Sequence, residues 1–290
     1  MHYRETKVYF DGSHYIGIPK VSQPWKKRKI VKSNPHLIEK QFFEKAYKEN
    51  ISKKKKEKIK SITEKLEKHF EDKDKLKEFV DKNIERKKRN LIERRKRLIR
   101  KINLQEWHYF CTFTYDDKKL NEIEFKKKLS NCLKKLSYKK KWKYVGVWER
   151  SPVNNRLHFH GLFYIPTMIG EMIETKDYST KKHQMQITHQ NTYFLERFGR
   201  NDFKEIESEE HINESKTYLM KYLEKSNEKI VYSKGIYQYF ISDIIEDDIV
   251  CKIGQEDRKI LLFDDFHCLV DGEVIGKVSR DTISKMPKTN

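Results

Sequence analysis

The sequence predicts an α+β chain, a basic helical region followed by a strand-rich domain, on three observations. Between about Pro35 and Ile102 apolar residues recur at helical spacing in a stretch with no glycine and no further proline. At Trp107 the pattern switches to alternation of β-branched and aromatic residues with polar ones, the period of a strand. The run Leu157-His158-Phe159-His160-Gly161-Leu162-Phe163-Tyr164 then sets two histidines either side of one bulky apolar residue, so that both imidazoles project from the same face of a strand.

The totals narrow the class. The chain has 290 residues, with 64 Lys and Arg against 44 Asp and Glu, a formal net charge of +20. Such an excess points to a polyanionic partner, of which nucleic acid is the commonest and an anionic membrane the rival. With 36% apolar residues the chain can bury a core, although 37% charged residues commits much of it to solvated surface. No apolar run approaches the ~20 residues of a membrane span, and Met1-His2-Tyr3-Arg4-Glu5 lacks a secretory apolar region. A soluble, cytoplasmic protein without a membrane partner is expected. Cys111, Cys132, Cys251 and Cys268 are scattered, which indicates neither a zinc knuckle nor a disulfide framework. No glycine-rich phosphate loop ending in Lys-Ser/Thr is present, which argues against an ATP-driven motor domain.

In order, residues 1–34 read as an irregular N-terminal arm with a basic cluster at Lys26-Lys27-Arg28-Lys29. Residues 35–103 read as two or three long helices, with stripes at Ile59, Ile62, Leu66 and Phe70, at Leu76, Val80 and Ile84, and at Leu91, Leu98 and Ile102, broken near Glu71-Asp72-Lys73-Asp74. Charge peaks at Lys53-Lys54-Lys55-Lys56 and again at Arg86, Lys87, Lys88 and Arg89 and at Arg94 and Arg95. These runs suit either a solvated coiled-coil arm or a surface that binds phosphate backbone.

The domain at 104–240 opens with a strand, His108 to Tyr115, closed by Asp116-Asp117. Ile123, Phe125, Leu129, Leu133 and Leu136 place a helix over Glu122–Leu136, and a basic loop from Tyr138 to Lys143 leads to a strand at Tyr144–Glu149. The Asn154-Asn155 pair suits a hairpin into the histidine strand. That hairpin sets Glu149 across from His158 or His160, and both registers put its carboxylate on the histidine face. Two imidazoles, a carboxylate and open positions make a catalytic rather than a structural metal arrangement, suited to Mn²⁺ or Mg²⁺ as well as zinc. The plainer reading gives ordinary half-exposed histidines, with Glu149 facing solvent or paired to Arg150 or Arg156.

Residues 166 to 215 are polar and poorly patterned, with His183, His189 and His211 sharing no ligand spacing. A short helix closed by Gly199 and a strand at Phe203–Ile206 are expected within them. Ser215 reads as the cap of a helix through Lys225. On it Tyr218, Lys221, Tyr222 and Lys225 fall on one side while Leu219, Met220 and Leu223 fall on another. Two phenols one turn apart, flanked by ammonium groups, are a candidate nucleophile array; equally, they suit a surface helix that binds nucleic-acid backbone. Beyond Asn227 come a strand and turn at Lys229–Ile236, then a small β element over 241–290 with an acidic patch at Glu246-Asp247-Asp248 and a hairpin turning at Asp271-Gly272.

Over about residues 105–240 the chain resembles the HUH endonucleases, in particular the two-tyrosine rolling-circle replication initiators of phages and plasmids. Phe110-Cys111-Thr112-Phe113-Thr114-Tyr115 resembles their first strand motif, His158-Phe159-His160 the metal motif, and Tyr218-Leu219-Met220-Lys221-Tyr222-Leu223-Glu224-Lys225 the tyrosine helix. Lys234-Gly235-Ile236 resembles a turn that often follows that helix. The basic helices before the domain depart from the family's usual start.

The resemblance implies a ferredoxin-like, split HUH domain with a five-stranded antiparallel sheet flanked by helices. It implies metal-dependent nicking and joining of single-stranded DNA at a replication origin, without ATP. His158, His160 and Glu149 would hold the divalent cation, and Tyr218 or Tyr222 would attack to leave a 5′-phosphotyrosine. Lys221 and Lys225 would serve phosphate or phenolate charge, and Thr112 and Thr114 would contact DNA. A host replication helicase or polymerase is the implied protein partner. The rivals are a relaxase or transposase of the same chemistry and a non-catalytic basic nucleic-acid binder.

Overall fold

In chain order the computed structural model has β1 (His2–Phe10), β2 (Tyr15–Ile18), α1 (Leu37–Glu49), α2 (Lys55–Leu66), a 3₁₀ turn (Glu67–His69), α3 (Lys73–Asn103), β3 (Tyr109–Thr114) and α4 (Glu122–Lys140). Then follow β4 (Lys143–Arg150), β5 (Leu157–Tyr164), β6 (Met172–Ser179), β7 (Gln184–Asn191), α5 (Thr192–Arg197), β8 (Asn201–Glu205) and α6 (Glu209–Lys225). Short strands close the chain: β9 (Val231–Tyr232), β10 (Phe240–Ile245), β11 (Ile249–Ile253), β12 (Lys259–Leu262), β13 (Leu269–Val270) and β14 (Glu273–Val274). The structure describes residues 2–20, 37–51, 53–151, 155–179, 183–225, 230–245, 249–253, 259–263, 266–270, 273–274, 278–279 and 282–283. Lys26-Lys27-Arg28-Lys29, Asn154, Glu246-Asp247-Asp248, Asp271-Gly272 and the side chain of Lys225 lie outside the described residues. The chain divides into two compact units, Val21–Arg95 and Met1–Lys20 with Lys96–Asn290.

The larger unit holds a five-stranded antiparallel sheet in the order β8-β3-β5-β4-β9. Alternation dictates its two faces. Cys111, Phe113, Leu157, Phe159, Phe163 and Phe203 turn to one side and are buried with Phe125, Leu129 and Leu133 of α4 and Phe194 of α5. Each such side chain contributes about 1.5–3 kcal/mol of burial. Gly146 and Gly161 sit opposite one another in β4 and β5, and a Cβ on Gly146 would lie 2.4 Å from the Phe159 ring. The missing side chains therefore let the ring lie against the sheet.

α4 starts with a capping box, Asn121 accepting from the Glu124 N–H at 2.9 Å. It runs on to Lys140 and stops at Lys141 in the left-handed region, φ 60°. The stretch expected as a basic loop is thus largely the last helical turn, where cations complement the helix dipole. α6 covers the other face of the sheet, anchored by buried Leu219 and Leu223.

Three expectations are corrected. Residues 2–18 are not an irregular arm: β1 and β2 pair with each other, β1 with β10 and β2 with β12, in a seven-stranded sheet ordered β11-β12-β2-β1-β10-β13-β14. Val8, Tyr15, Phe240, Ile244 and Phe266 share its core. The polar stretch after residue 166 contains a two-stranded ribbon, β6 with β7. Ser215 lies inside α6, which begins six residues earlier after Ser208, whose hydroxyl accepts from the His211 N–H at 3.4 Å. Glu209 and Glu210 suit that N-terminus electrostatically.

In the smaller unit, α1, α2 and the first part of α3 bury Phe43, Ala46, Ile62, Leu66, Leu76 and Val80 together. The break between α2 and α3 falls at the 3₁₀ turn and the residues after it, with Asp72 accepting from the Asp74 N–H at 2.8 Å.

Candidate active site

The histidine face of the five-stranded sheet gathers the chemistry. Because β3 and β4 flank β5 in antiparallel register, Thr114 and Glu149 lie opposite His158, and Thr112 and Val147 lie opposite His160. Cross-strand neighbours share a face, so two hydroxyls and a carboxylate surround the imidazoles. Thr112 Oγ1 lies 3.0 Å from His160 Nδ1 and Thr114 Oγ1 lies 2.8 Å from His158 Nδ1. Both hydroxyls engage the same ring nitrogen, which fixes the ring orientation and leaves each Nε2 for the site.

Glu149 reaches diagonally to His160, with Oε2 at 3.0 Å from Nε2, and both side chains are nearly enclosed, 13% and 12% exposed. The arginines that could have claimed this carboxylate are engaged elsewhere, Arg150 by Glu122 and Arg156 by Asp117 and the Tyr115 carbonyl. From α6, Tyr218 donates its hydroxyl to Glu149 Oε2 at 2.7 Å, and Tyr222 also hydrogen-bonds this carboxylate. The Tyr218 and Tyr222 rings are 4.9 Å apart, and Tyr218 packs against His160 at 5.3 Å and edge-on to Phe110 at 5.6 Å.

This burial sets the protonation states. His158 is pushed down to about 4 by desolvation and by the neighbouring His160, so it is a neutral donor at physiological pH. Burial alone would raise Glu149, but hydrogen bonds from His160, Tyr222 and Tyr218 outweigh it and hold the carboxyl below its ordinary value. Tyr222 is pushed up to about 12 by burial and the Glu149 carboxylate, and Tyr218 is pushed higher for the same reasons. Both phenols are therefore protonated near neutrality, and a nucleophilic role needs an adjacent proton acceptor.

The donor set, two imidazole Nε2 atoms and a carboxylate, is chemically suited to a hard or borderline divalent cation. Among the described residues no three His, Cys, Asp or Glu groups already stand at metal-holding spacing. Glu149 is closed onto His160 Nε2, so cation binding here would displace a proton from that pair.

The other expected residues distribute unevenly. Thr112 and Thr114 are tied to the imidazoles, and both line the cleft. Lys221 is exposed and is not among the cleft-lining residues. Arg86, Lys87, Lys88, Arg89, Arg94 and Arg95 belong to the smaller unit. There Arg86 and Lys87 pair with Glu44, while Lys88, Arg89 and Arg94 are exposed. No helix of the described residues is long and apolar enough to cross a membrane.

Sequence reasoning missed what surrounds these groups. A cavity of about 360 Å³ is lined by Glu149, His158, His160 and Tyr218 together with Ser151, Gln186, Arg200 and Asp202. A neighbouring one of about 620 Å³ shares Thr114, Ser151, His158 and Arg200 and carries Lys119 and Arg156. Asp202 lies opposite Thr112 in β8, so it falls on the histidine face, and burial raises its carboxyl. The alternation Asn201-Asp202-Phe203 carried that signal, since Phe203 had to face the core. Arg200 pairs with Asp177 of β6 at 3.0 Å and Asp202 accepts from the His189 N–H of β7 at 3.3 Å, which ties the ribbon to the rim of the site.

Residues 108–227 match the family model of the replication-associated protein ORF2, a span that holds β3 through α6 and every group of the cleft. Neither a curated protein nor a solved structure matches the chain.

Proposed function

We propose that this protein is an HUH-type, two-tyrosine replication initiator that nicks and rejoins single-stranded DNA at an origin through a 5′-phosphotyrosine. The single observation that carries the reading is the hydrogen bond from Tyr218 to Glu149, which joins the tyrosine helix to the carboxylate paired with His160. The match of residues 108–227 to a replication-associated family supports the biological setting.

His158, His160 and Glu149 would hold a divalent cation, Mn²⁺ or Mg²⁺, which when bound neutralises charge on the scissile phosphate. The rest belongs to the chain's own residues. Tyr218 Oη attacks phosphorus as the bond from phosphorus to the 3′ oxygen breaks, giving a phosphotyrosyl ester and a free 3′-OH. The phenol proton passes toward Glu149, which already accepts it in a 2.7 Å hydrogen bond, and the departing 3′ oxygen takes a proton from solvent. One P–O ester replaces another, so the step needs no ATP and runs in reverse to reseal. Tyr222, one helical turn on, supplies a second nucleophile for a second transfer. Thr112 and Thr114 act as positioning residues by holding the imidazoles.

The test is incubation of the full chain and Mn²⁺ with single-stranded oligonucleotides tiled across the DNA flanking the reading frame, followed by a denaturing gel. A covalent adduct is expected for the wild type and none for Tyr218→Phe combined with Tyr222→Phe. An adduct surviving the double change would sink the assigned nucleophiles. Binding without any adduct would favour a non-catalytic role.

A further inference from the structure

The largest cavity of the larger unit is not the one beside the histidines. It encloses about 1210 Å³ at the opposite end of the five-stranded sheet, between the end of α4, the start of β4, the end of β5 and the turn after β9. Its lining contains six lysines and no acidic residue among the described residues. Two segments that the cleavage chemistry leaves unused meet here: the basic stretch from Tyr138 to Lys143, and the Lys234-Gly235 turn.

The geometry points to a second binding site for single-stranded DNA in this cavity, separate from the catalytic cleft. Tyr138 stands at its lip, 79% exposed, followed by exposed Lys139, Lys140 and Lys141. An aromatic ring left in solvent between cations gains nothing for the fold, whereas it offers a stacking surface to an unpaired base. Deeper in, Lys143 Nζ lies over Tyr164 at 5.6 Å and over Tyr237 at 5.3 Å. Tyr232 adds a further ring and Lys234 a further exposed cation. Interleaved rings and ammonium groups are the chemistry that holds a single strand without reading its sequence, by base stacking and phosphate neutralisation. A duplex, whose bases are already stacked, would leave the rings unused.

Lys143 and Tyr164 are register partners in β4 and β5 and lie on the same face as Glu149 and His158. Six residues of strand at ~3.4 Å each set the two sites about 20 Å apart. The cavity therefore grips DNA flanking the scissile phosphate, and keeps hold of one segment while another is broken and rejoined. The inference rests on the nucleic-acid reading of the chain but not on the phosphotyrosine chemistry.

The experiment uses the full chain in EDTA, so that binding is measured without cleavage. Labelled oligo-dT of about thirty nucleotides is titrated against wild type and Tyr138→Ala/Lys139→Gln/Lys140→Gln. Loss of one stacked base and two phosphate contacts is expected to weaken binding about tenfold or more and to lower the slope of log affinity on log salt by about 1.4. Unchanged affinity and slope would overturn the site. An oligoglutamate peptide that binds as tightly and displaces the DNA would reassign the cavity to acidic protein segments. Should the triple variant misfold, photocrosslinking of a 5-iododeoxyuridine oligonucleotide to the wild type decides instead. Crosslinks at Tyr138, Tyr232 or Tyr237 are expected, and crosslinks confined to other peptides refute the proposal. Absence of a covalent adduct in the nicking assay, with these effects intact, would count against the nicking reading alone.

Discussion

At the residue scale the site depends on which nitrogen of each histidine is free. Thr112 and Thr114 occupy Nδ1 of His160 and His158 at 3.0 and 2.8 Å. An outer hydrogen bond of this kind fixes the tautomer and orientation of a metal-binding ring, and its loss typically costs 10–100-fold in metal affinity. Thr114→Val keeps the shape and removes the hydroxyl. Calorimetric titration with Mn²⁺ should then show dissociation about tenfold weaker or more, with DNA affinity in EDTA unchanged. The opposite pattern, weaker DNA binding with unaltered Mn²⁺ affinity, would make Thr114 a DNA contact, the role its position in the strand motif first suggests. The sequence alone cannot separate the two. It places Thr114 on the histidine face by alternation, but the 2.8 Å contact depends on the β3–β5 register, which is set by long-range pairing of residues 44 apart.

At the element scale, local signals were legible and remote pairings were not. The β4–β5 hairpin, α4 and the tyrosine face of α6 follow from period, cap and turn chemistry within a few residues. β1 and β2 escaped because β1 draws its neighbour β10 from more than 200 residues away and its own sequence is mostly polar. The ribbon of β6 and β7 escaped because its strands carry little apolar alternation, with Tyr178, Met185 and Ile187 exposed. The helical unit shows the reverse case, in which charge that looked free is partly used inside the element. Glu44 of α1 accepts from Arg86 of α3 at 2.9 Å and is bridged by Lys87. Burial alone would raise its carboxyl, but the hydrogen bonds and charge of Lys87 and Arg86 outweigh it and hold it below the ordinary value. The folded form therefore binds fewer protons than the unfolded one. The stabilisation is full above the ordinary carboxylate range, about 4.3, and is lost as pH falls through the lowered folded value. Thermal melts should show Glu44→Gln less stable than wild type at pH 7, with the difference closing well below pH ~4. A gap that persists in acid would mean the glutamate acts by packing and not by charge.

At the scale of the whole molecule, a net charge of +20 must be divided between cations that hold the fold and cations that face solvent. Arg86 and Lys87 are committed to Glu44, so neutralising them should lower the stability of the helical unit more than it changes DNA binding. Lys88, Arg89 and Arg94 are exposed on the same helix and represent the charge run as a phosphate-binding surface. Each phosphate contact on a single strand adds about 0.7 to the slope of log affinity on log salt. Lys88→Gln/Arg89→Gln/Arg94→Gln is therefore expected to lower that slope by about 2 while leaving the thermal midpoint unchanged. Fluorescence anisotropy titrations of a labelled single strand between 50 and 200 mM salt, about the range over which such contacts are most visible, measure it directly. A slope identical to wild type would make the run a solvated face, and would leave the basic excess of the larger unit, with the cleft at Tyr138 and Lys139, to account for the affinity.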